Sequence, residues 1–320
     1  METPGSFHLF VQRRGFVNYT FVMGMGQLVT PWNWNACPDF QPAGFSAGSG
    51  CPVALLAGQG LYPFLWVEGA RKAGVSRIYA VGFVGETDPN LQQCVDRWAW
   101  IRVGQLGRLI RQLTHWGVSY ALMAGAIRPR NLFDLRPDLR TLWLLSQIKE
   151  RNAATLFGAV ARELEKAGIV LLPATTFLEE FLAREGVMAG PAPSRRFLRD
   201  AELGFRLAKE VARLDIGQSI VVEDGVVLAV EAWEGTDETL RRGGALGKKR
   251  PILVKVSKPN QDVRFDVPVL GEKTIQIAVQ SGIKGIVCEA GSTLLLRSLK
   301  VYELAEKYRI TLYGMRDKRS

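Results

Sequence analysis

From Val53 onward the chain repeats one unit: a short apolar run, a glycine turn, then an amphipathic stretch. VALLAGQG (53–60) reads as a strand ending in Gly58-Gln59-Gly60, with a helix following through WVEGARKAG. RIYAVGFVG (77–85) is the next strand, and Gly85-Glu86-Thr87-Asp88-Pro89 is a turn by composition. Trp100–Val103 makes a short third strand. Gly104-Gln105-Leu106-Gly107 opens the helix RLIRQLTHWG, and SYALMAG is a further strand. Parallel strands need a helical crossover, so this alternation predicts a doubly wound parallel sheet. Such sheets bind ligands at the carboxyl edge, where glycines let the backbone approach a phosphate or ribose. Gly58, Gln59, Gly60, Gly85, Gly104, Gln105 and Gly107 are therefore the nucleotide candidates. The full GxGxxG is missing, because Pro63 stands where the third glycine would be.

Residues 138–167 read as helices with apolar residues at three and four spacing, including Leu142, Leu145 and Ile148, a stripe expected in the core. Strand GIVLLP and helix FLEEFLARE complete this half, and Gly190-Pro191-Ala192-Pro193-Ser194 reads as a linker. The second half opens with a helix through RDAELGFRLAKEVARLD, with Leu203, Leu207 and Val211 on one face. SIVVEDGVVLAVE then reads as a hairpin turning at Glu223-Asp224-Gly225. Helix KTIQIAVQSG, strand GIVCEAG, helix SLKVYELAEKYR and strand TLYGM close a second α/β unit, and the RDKRS tail reads as disordered. The expected division is an N-terminal extension at 1–52, a first domain at 53–189 and a second at 195–316. The extension has no defensible helical or strand period. It reads as a flexible segment or an early-assigned start, since no signal-peptide cleavage pattern follows its apolar run.

Residues 229–271 carry the densest charge. Glu231, Glu234, Asp237, Glu238, Asp262 and Asp266 are interleaved with Arg241, Arg242, Lys248, Lys249, Arg250, Lys255, Lys258 and Arg264. Carboxylates beside so many cations suit a hard, oxygen-ligated metal next to an anionic substrate; Mg²⁺ uses one or two carboxylates and completes its shell with water and phosphate oxygens. Ile252, Val254 and Val256 alternate with Leu253, Lys255 and Ser257, a strand pattern that Pro259 breaks. Val263, Phe265 and Val267 then alternate with Asp262, Arg264 and Asp266, which as a strand would put two acids and an arginine on one face. A half-solvated sheet shows the same alternation. Two acidic clusters, each bounded by Gly or Pro turns, favour a functional reading. Thr236 or Asp237 is the natural N-cap of the helix that follows, and the Arg241-Arg242 and Lys248-Lys249-Arg250 runs bracket a glycine-rich segment read as movable.

Composition narrows the chemistry. A net charge of +10 over 320 residues, with pI near 9.6, predicts attraction to anionic partners. No aromatic RNA-binding signature appears, so acidic lipid surfaces and phosphorylated small molecules rank above nucleic acid. His8 and His115 are the only histidines, which excludes a histidine-rich dimetal phosphoesterase and an HExxH zinc protease. Four scattered cysteines, with no CxxC pair, fit the reduced cytoplasm, and Cys288 reads as a buried small hydrophobe. No apolar run reaches the roughly 18–20 residues that cross a bilayer, so any lipid substrate must be met from a peripheral position.

The segments EAWEGTDETLRRGG and LVKVSKPNQDVRFDVPVLG resemble the signatures of UDP-2,3-diacylglucosamine pyrophosphatase of the LpxI type, a lipid A pathway family. LLAGQGLYPFL, GETDP, WIRVGQLGRLIRQL and VMAGPA extend the resemblance from about Val53 onward. Acidic residues are common in the family where Arg151-Asn152-Ala153-Ala154 stands here. The resemblance implies a Rossmann-like domain and a second α/β domain enclosing the acylated sugar nucleotide in a substrate cleft between them, as a homodimer at the cytoplasmic side of the inner membrane. It implies Mg²⁺-dependent hydrolysis to UMP and 2,3-diacylglucosamine 1-phosphate (lipid X). On that reading Asp262 and Asp266 serve as metal ligand and water-activating carboxylate in either order, with Glu234 and Asp237 as further ligands. Lys255, Lys258 and Arg264 bind phosphate oxygens. Two rivals remain open: a nucleotide-sugar transferase or oxidoreductase on the same sheet, and a non-catalytic, membrane-associated nucleotide-lipid binding protein that would not need paired acids.

Overall fold

The computed structural model describes residues 50–127, 137–148, 153–259 and 261–317. The readings placed on residues 1–49, on Arg151-Asn152 and on the final three residues lie outside them. Val53–Ala57 (β1), Ile78–Phe83 (β2), Arg97–Ile101 (β3), Tyr120–Ala124 (β4) and Val170–Leu171 (β5) form one sheet, all parallel, in the order β3-β2-β1-β4-β5. Tyr62–Lys72 (α1), Leu106–His115 (α2), Leu139–Gln147 (α3) and Ala153–Lys166 (α4) connect the strands or pack on them. The order reverses between β1 and β4, as expected for a Rossmann-like sheet, and the carboxyl edge at such a switch point is where these sheets bind ligands. Every residue of β1 is buried, because helices cover both faces.

The second sheet has six strands in the order β6-β13-β11-β9-β7-β8. Ile252–Lys255 (β9), Gly285–Glu289 (β11) and Thr311–Met315 (β13) run parallel in its centre. The hairpin Ser219–Glu223 (β7) and Val226–Val230 (β8) flanks them on one side and Gly186–Ala189 (β6) on the other, both antiparallel. Asp224 and Gly225 both take positive φ, the geometry that turns a two-residue hairpin. Helix Arg195–Arg213 (α5) covers one face. Thr236–Leu246 (α6), Glu272–Gln280 (α7) and Ser298–Lys307 (α8) supply the rest of the helical cover. The two cores divide β9: Ile252, Val254 and Val256 pack with α5, whereas Leu253 packs with Leu240 of α6 and Ile275 of α7. A short parallel pair, Val269–Leu270 (β10) and Leu294–Leu295 (β12), stands apart. No helix of the described residues is long and apolar enough to cross a membrane.

Several expectations need correction. Because β6 pairs with β13, residues 186–189 belong to the second sheet, and the chain changes sheets before the predicted linker. FLEEFLARE forms only a 3-10 turn at Glu179–Phe181, since Phe177 takes φ 69° and Leu182 bridges to Leu294. Leu142 is exposed; α3 buries Thr141 and Leu144 instead. The buried stripe of α5 is Ala201, Phe205, Ala208 and Ala212, with Leu203 and Leu207 at its margin. Residues 262–267 form a turn, not a strand.

Candidate active site

The crevice at the first sheet's switch point opens into a cavity of about 500 Å³. Gly58 donates its N–H to the Ala124 carbonyl (2.8 Å), and Gln59 and Ala126 exchange backbone hydrogen bonds, which ties the loops after β1 and β4 together. Any Cβ on residue 58 would stand 2.5 Å from the Ala126 carbonyl oxygen, so only glycine allows this crossing. Gly58, Gln59, Gly60, Gly104 and Gln105 all line the cavity, as do Leu56, Leu109, Leu144, Phe157 and Val160. Phe265, Asp266, Val267, Val269 and Leu296 close it from the second half. The wall is largely apolar, with Gln59, Arg102, Gln105, Thr141 and Asp266 among its few polar side chains, which suits a ligand with substantial apolar surface. The Gly104 loop is held by Thr141, whose hydroxyl donates to the Gly104 carbonyl (2.5 Å) and accepts from the Leu106 N–H (3.1 Å). The Gln59 side-chain amide donates to the buried carboxylate of Glu86 at the end of β2. Gly85 and Gly107 do not line the cavity. Gly85 turns the chain after β2 with φ 82°, and Gly107 lets α2 approach Asp138, the N-cap of α3.

The second half contributes a buried polar chain. Lys255, 8% exposed, ends β9 and donates to the Thr236 hydroxyl (3.0 Å), which donates in turn to Glu231 (3.0 Å). The Ser219 hydroxyl donates to the other Glu231 oxygen. Glu231 comes from the end of β8, Ser219 from β7 and Thr236 from the first turn of α6. Burial pushes the Lys255 ammonium below the ordinary lysine range, against the pull of the Glu231, Asp237 and Asp266 carboxylates. Three carboxylates thus converge electrostatically on one buried cation. An ammonium has three donors, and among the described residues Thr236 alone takes one from Lys255. Lys255 is buried because β9 lies inside the sheet and is covered on both faces.

The other charges of 229–271 are mostly committed to one another. Asp262 is chelated by the Arg264 guanidinium (2.7 and 2.9 Å), which holds its carboxyl below the usual carboxylate range. Glu234 pairs with Arg242, Asp237 with Lys273 (2.6 Å) and Lys258 with Asp215. Of the four predicted metal ligands, Asp266 is the one without a side-chain partner among the described residues. Those residues contain no group of three His, Cys, Asp or Glu side chains placed to share a metal ion. Neither Thr236 nor Asp237 caps α6; Gly235 holds that position with φ 81°, leaving the helix's first N–H groups without a side-chain cap. The glycines after Arg242 are not a movable loop but helix, with Gly243 packed on Val221 and Gly244 on Ser281. In the sequence Glu231 stands out only as part of a cluster, Thr236 only as a helix cap and Ser219 not at all, because three separate elements bring them together.

The turn carrying Asp266 is pinned on the first half. Ala174 donates its N–H to the Val263 carbonyl (2.8 Å), Arg264 pairs with Glu165 of α4, and the rings of Phe265 and Phe157 lie 5.7 Å apart. Asp262 shapes the turn by accepting from the Arg264 N–H (3.1 Å).

Two family models cover both halves: the LpxI N-terminal domain matches residues 52–181 and the LpxI C-terminal domain residues 184–313. The chain belongs to the LpxI family. A member from Caulobacter vibrioides (strain ATCC 19089 / CIP 103742 / CB 15), UDP-2,3-diacylglucosamine pyrophosphatase LpxI, is 31% identical over 277 residues, spanning 82% of this chain and 97% of that one. Likeness to solved structures is remote. CobK precorrin-6A reductase aligns over 83% of this LpxI chain and 87% of its own at 14% identity and TM-score 0.30. A Hydrogenobacter thermophilus 2-oxoglutarate carboxylase biotin carboxylase domain aligns over 54% and 35% at 15% identity and TM-score 0.23.

Proposed function

We propose that this LpxI protein hydrolyses the diphosphate bond of UDP-2,3-diacylglucosamine, releasing UMP and 2,3-diacylglucosamine 1-phosphate in the lipid A pathway. The observation that carries the reading is the place of Asp266: it lines the cavity, and its charge acts on buried Lys255. A ligand with its acyl chains in the cavity would bring its diphosphate to these two residues. The spare donors of Lys255 and the uncapped N-terminus of α6 favour non-bridging phosphate oxygens. Water adds to one phosphorus as the bridging P–O bond breaks, the departing phosphate takes the electron pair, and the water's proton passes to a carboxylate and on to solvent. Asp266 is the carboxylate available to orient that water. Asp262, already held by Arg264, positions the turn and is a poor proton acceptor.

The donor set fits Mg²⁺ in its sparing mode, with one or two carboxylates and the remaining positions left to water and phosphate. Asp266 and Asp237 would hold it, since Lys273, the partner of Asp237, is itself exposed and can swing aside. The bound ion would supply further neutralisation of the phosphate oxygens. Glu234, exposed and paired with Arg242, ranks behind them. The reading further places the enzyme at the cytoplasmic face of the inner membrane, supported by the basic charge and apolar cavity, and as a homodimer, which the resemblance alone supports.

The test supplies detergent-dispersed UDP-2,3-diacylglucosamine with Mg²⁺ and measures UMP with and without EDTA. Asp266→Asn should lower kcat by about a hundredfold or more, and Asp262→Asn by about tenfold through a loosened turn. Retention of most activity by Asp266→Asn sinks the site, and indifference to EDTA sinks the metal.

A further inference from the structure

α3 is apolar on two opposite faces. Thr141 and Leu144 point inward and line the cavity. Leu139, Leu142 and Trp143, at i, i+3 and i+4 spacing, form an outward stripe that is 85%, 50% and 52% exposed. Solvated helices present polar residues on that side, so three large apolar groups there call for an apolar partner. The three helices are net cationic: Arg108, Arg111, Arg140, Arg162 and Lys166 on α2, α3 and α4 outnumber Glu163, Glu165 and the α3 N-cap Asp138. Arg140 and Lys166 share Glu163 (both 2.8 Å), and the Lys166 ammonium lies 5.9 Å from the centre of the Trp143 ring. Tryptophan beside lysine and arginine is the side-chain pairing that settles at lipid headgroups.

We propose that α3 is the surface on which the protein rests against an anionic bilayer, with Leu139, Leu142 and Trp143 entering the headgroup region. The inference rests on the diacyl-lipid reading of the cavity, and the continuity of the helix argues for it. One face touches lipid and the other walls the cavity, so hydrocarbon chains would travel about one helix diameter, roughly 10 Å, from membrane to site. A single short helix gives weak, reversible attachment that needs acidic headgroups to hold it.

The experiment compares wild type, the triple variant Leu139→Ser/Leu142→Ser/Trp143→Ser and the control Leu299→Ser, whose residue is equally exposed but lies on α8 of the second half. Each is floated with phosphatidylglycerol-containing vesicles and assayed on UDP-2,3-diacylglucosamine in detergent micelles and in vesicles. The triple variant should lose at least about tenfold in vesicle partition and in vesicle turnover, keep micellar turnover within about twofold, and retain its melting temperature; Leu299→Ser should match wild type. Failure of wild type to float, or equal flotation of the triple variant, overturns the proposal. So does a switch from dimer to monomer by light scattering with flotation unchanged, which would make the stripe a contact between two copies. Absence of UMP from wild type in micelles would defeat the hydrolase reading while leaving the flotation result to judge the surface by itself.

Discussion

Glu179→Gln should abolish a pH-dependent loss of stability that the fold imposes on itself. Glu179 lies in the 3-10 turn that joins the two halves, and its Oε2 is buried without a hydrogen-bond partner among the described residues. Burial pushes its carboxyl from the ordinary 4.5 up to about 7; the N–H groups of Glu179, Phe177 and Leu178 pull the other way, and the neighbouring Glu180 charge adds to the rise. The native state therefore keeps a proton that the unfolded chain gives up. Stability is fully present below the unfolded value and falls as pH climbs from about 4.5 through about 7. At about 1.4 kcal/mol per pH unit, about 3 kcal/mol is lost by pH 8. For a folded region of this size that corresponds to roughly 6–12 °C in Tm. Glutamine is neutral at every pH, so the variant should melt higher than wild type by that order at pH 8 and match it at pH 5. Thermal unfolding followed by circular dichroism at the two pH values decides the matter. An offset that is the same at both, or a variant less stable at pH 8, would refute the reasoning.

Glu231→Gln keeps one acceptor oxygen, so one of the two hydroxyls must turn to accept from the new amide, and it removes an anion that raises the Lys255 pKa; the alkaline limb of kcat/KM should move to lower pH, and an unmoved limb would show that Lys255 is not required as a cation. Gly58→Ala drives a methyl group to 2.5 Å from the Ala126 carbonyl oxygen and should cost about 1–3 kcal/mol, read as a lower urea midpoint together with a raised KM; full stability would mean the crossing loops have room to part. Arg264→Ala frees the Asp266 turn from both Asp262 and Glu165, and kcat should fall by about tenfold or more while the melting temperature changes little; an unchanged kcat would show that the pairing does not position the turn.

The strands and helices of both sheets were legible because each apolar run is short and bounded by glycine. The strand carrying Lys255 was legible from its alternation, but the depth of the lysine's burial was not. The two neighbouring strands, β11 and β7, and the helices that cover β9 on both faces leave no mark within the strand itself. Residues 262–267 misled. Their alternation is genuine, but Asp262 accepts from the N–H two residues on, a turn already signalled by Pro259-Asn260-Gln261-Asp262. FLEEFLARE has helical composition, yet the left-handed Phe177 and the pairing of Leu182 with Leu294 override propensity. Most of the glycine positions chosen for the nucleotide do reach the cavity, since the carboxyl edge of a parallel sheet follows from strand order. The Ser219–Glu231–Thr236–Lys255 chain depends on tertiary meetings that no local pattern announces.

The anchoring of the Asp266 turn on the opposite half ties readiness to shape. Val263, Arg264 and Phe265 grip α4 and the Ala174 segment, so a parting of the halves would carry the Asp266 turn with the first half and away from Lys255 of the second. On the proposed reading, a parted molecule would be idle until a bound ligand brought Asp266 and Lys255 back together. Free nucleotide diphosphates, too small to hold the jaws shut, would be spared.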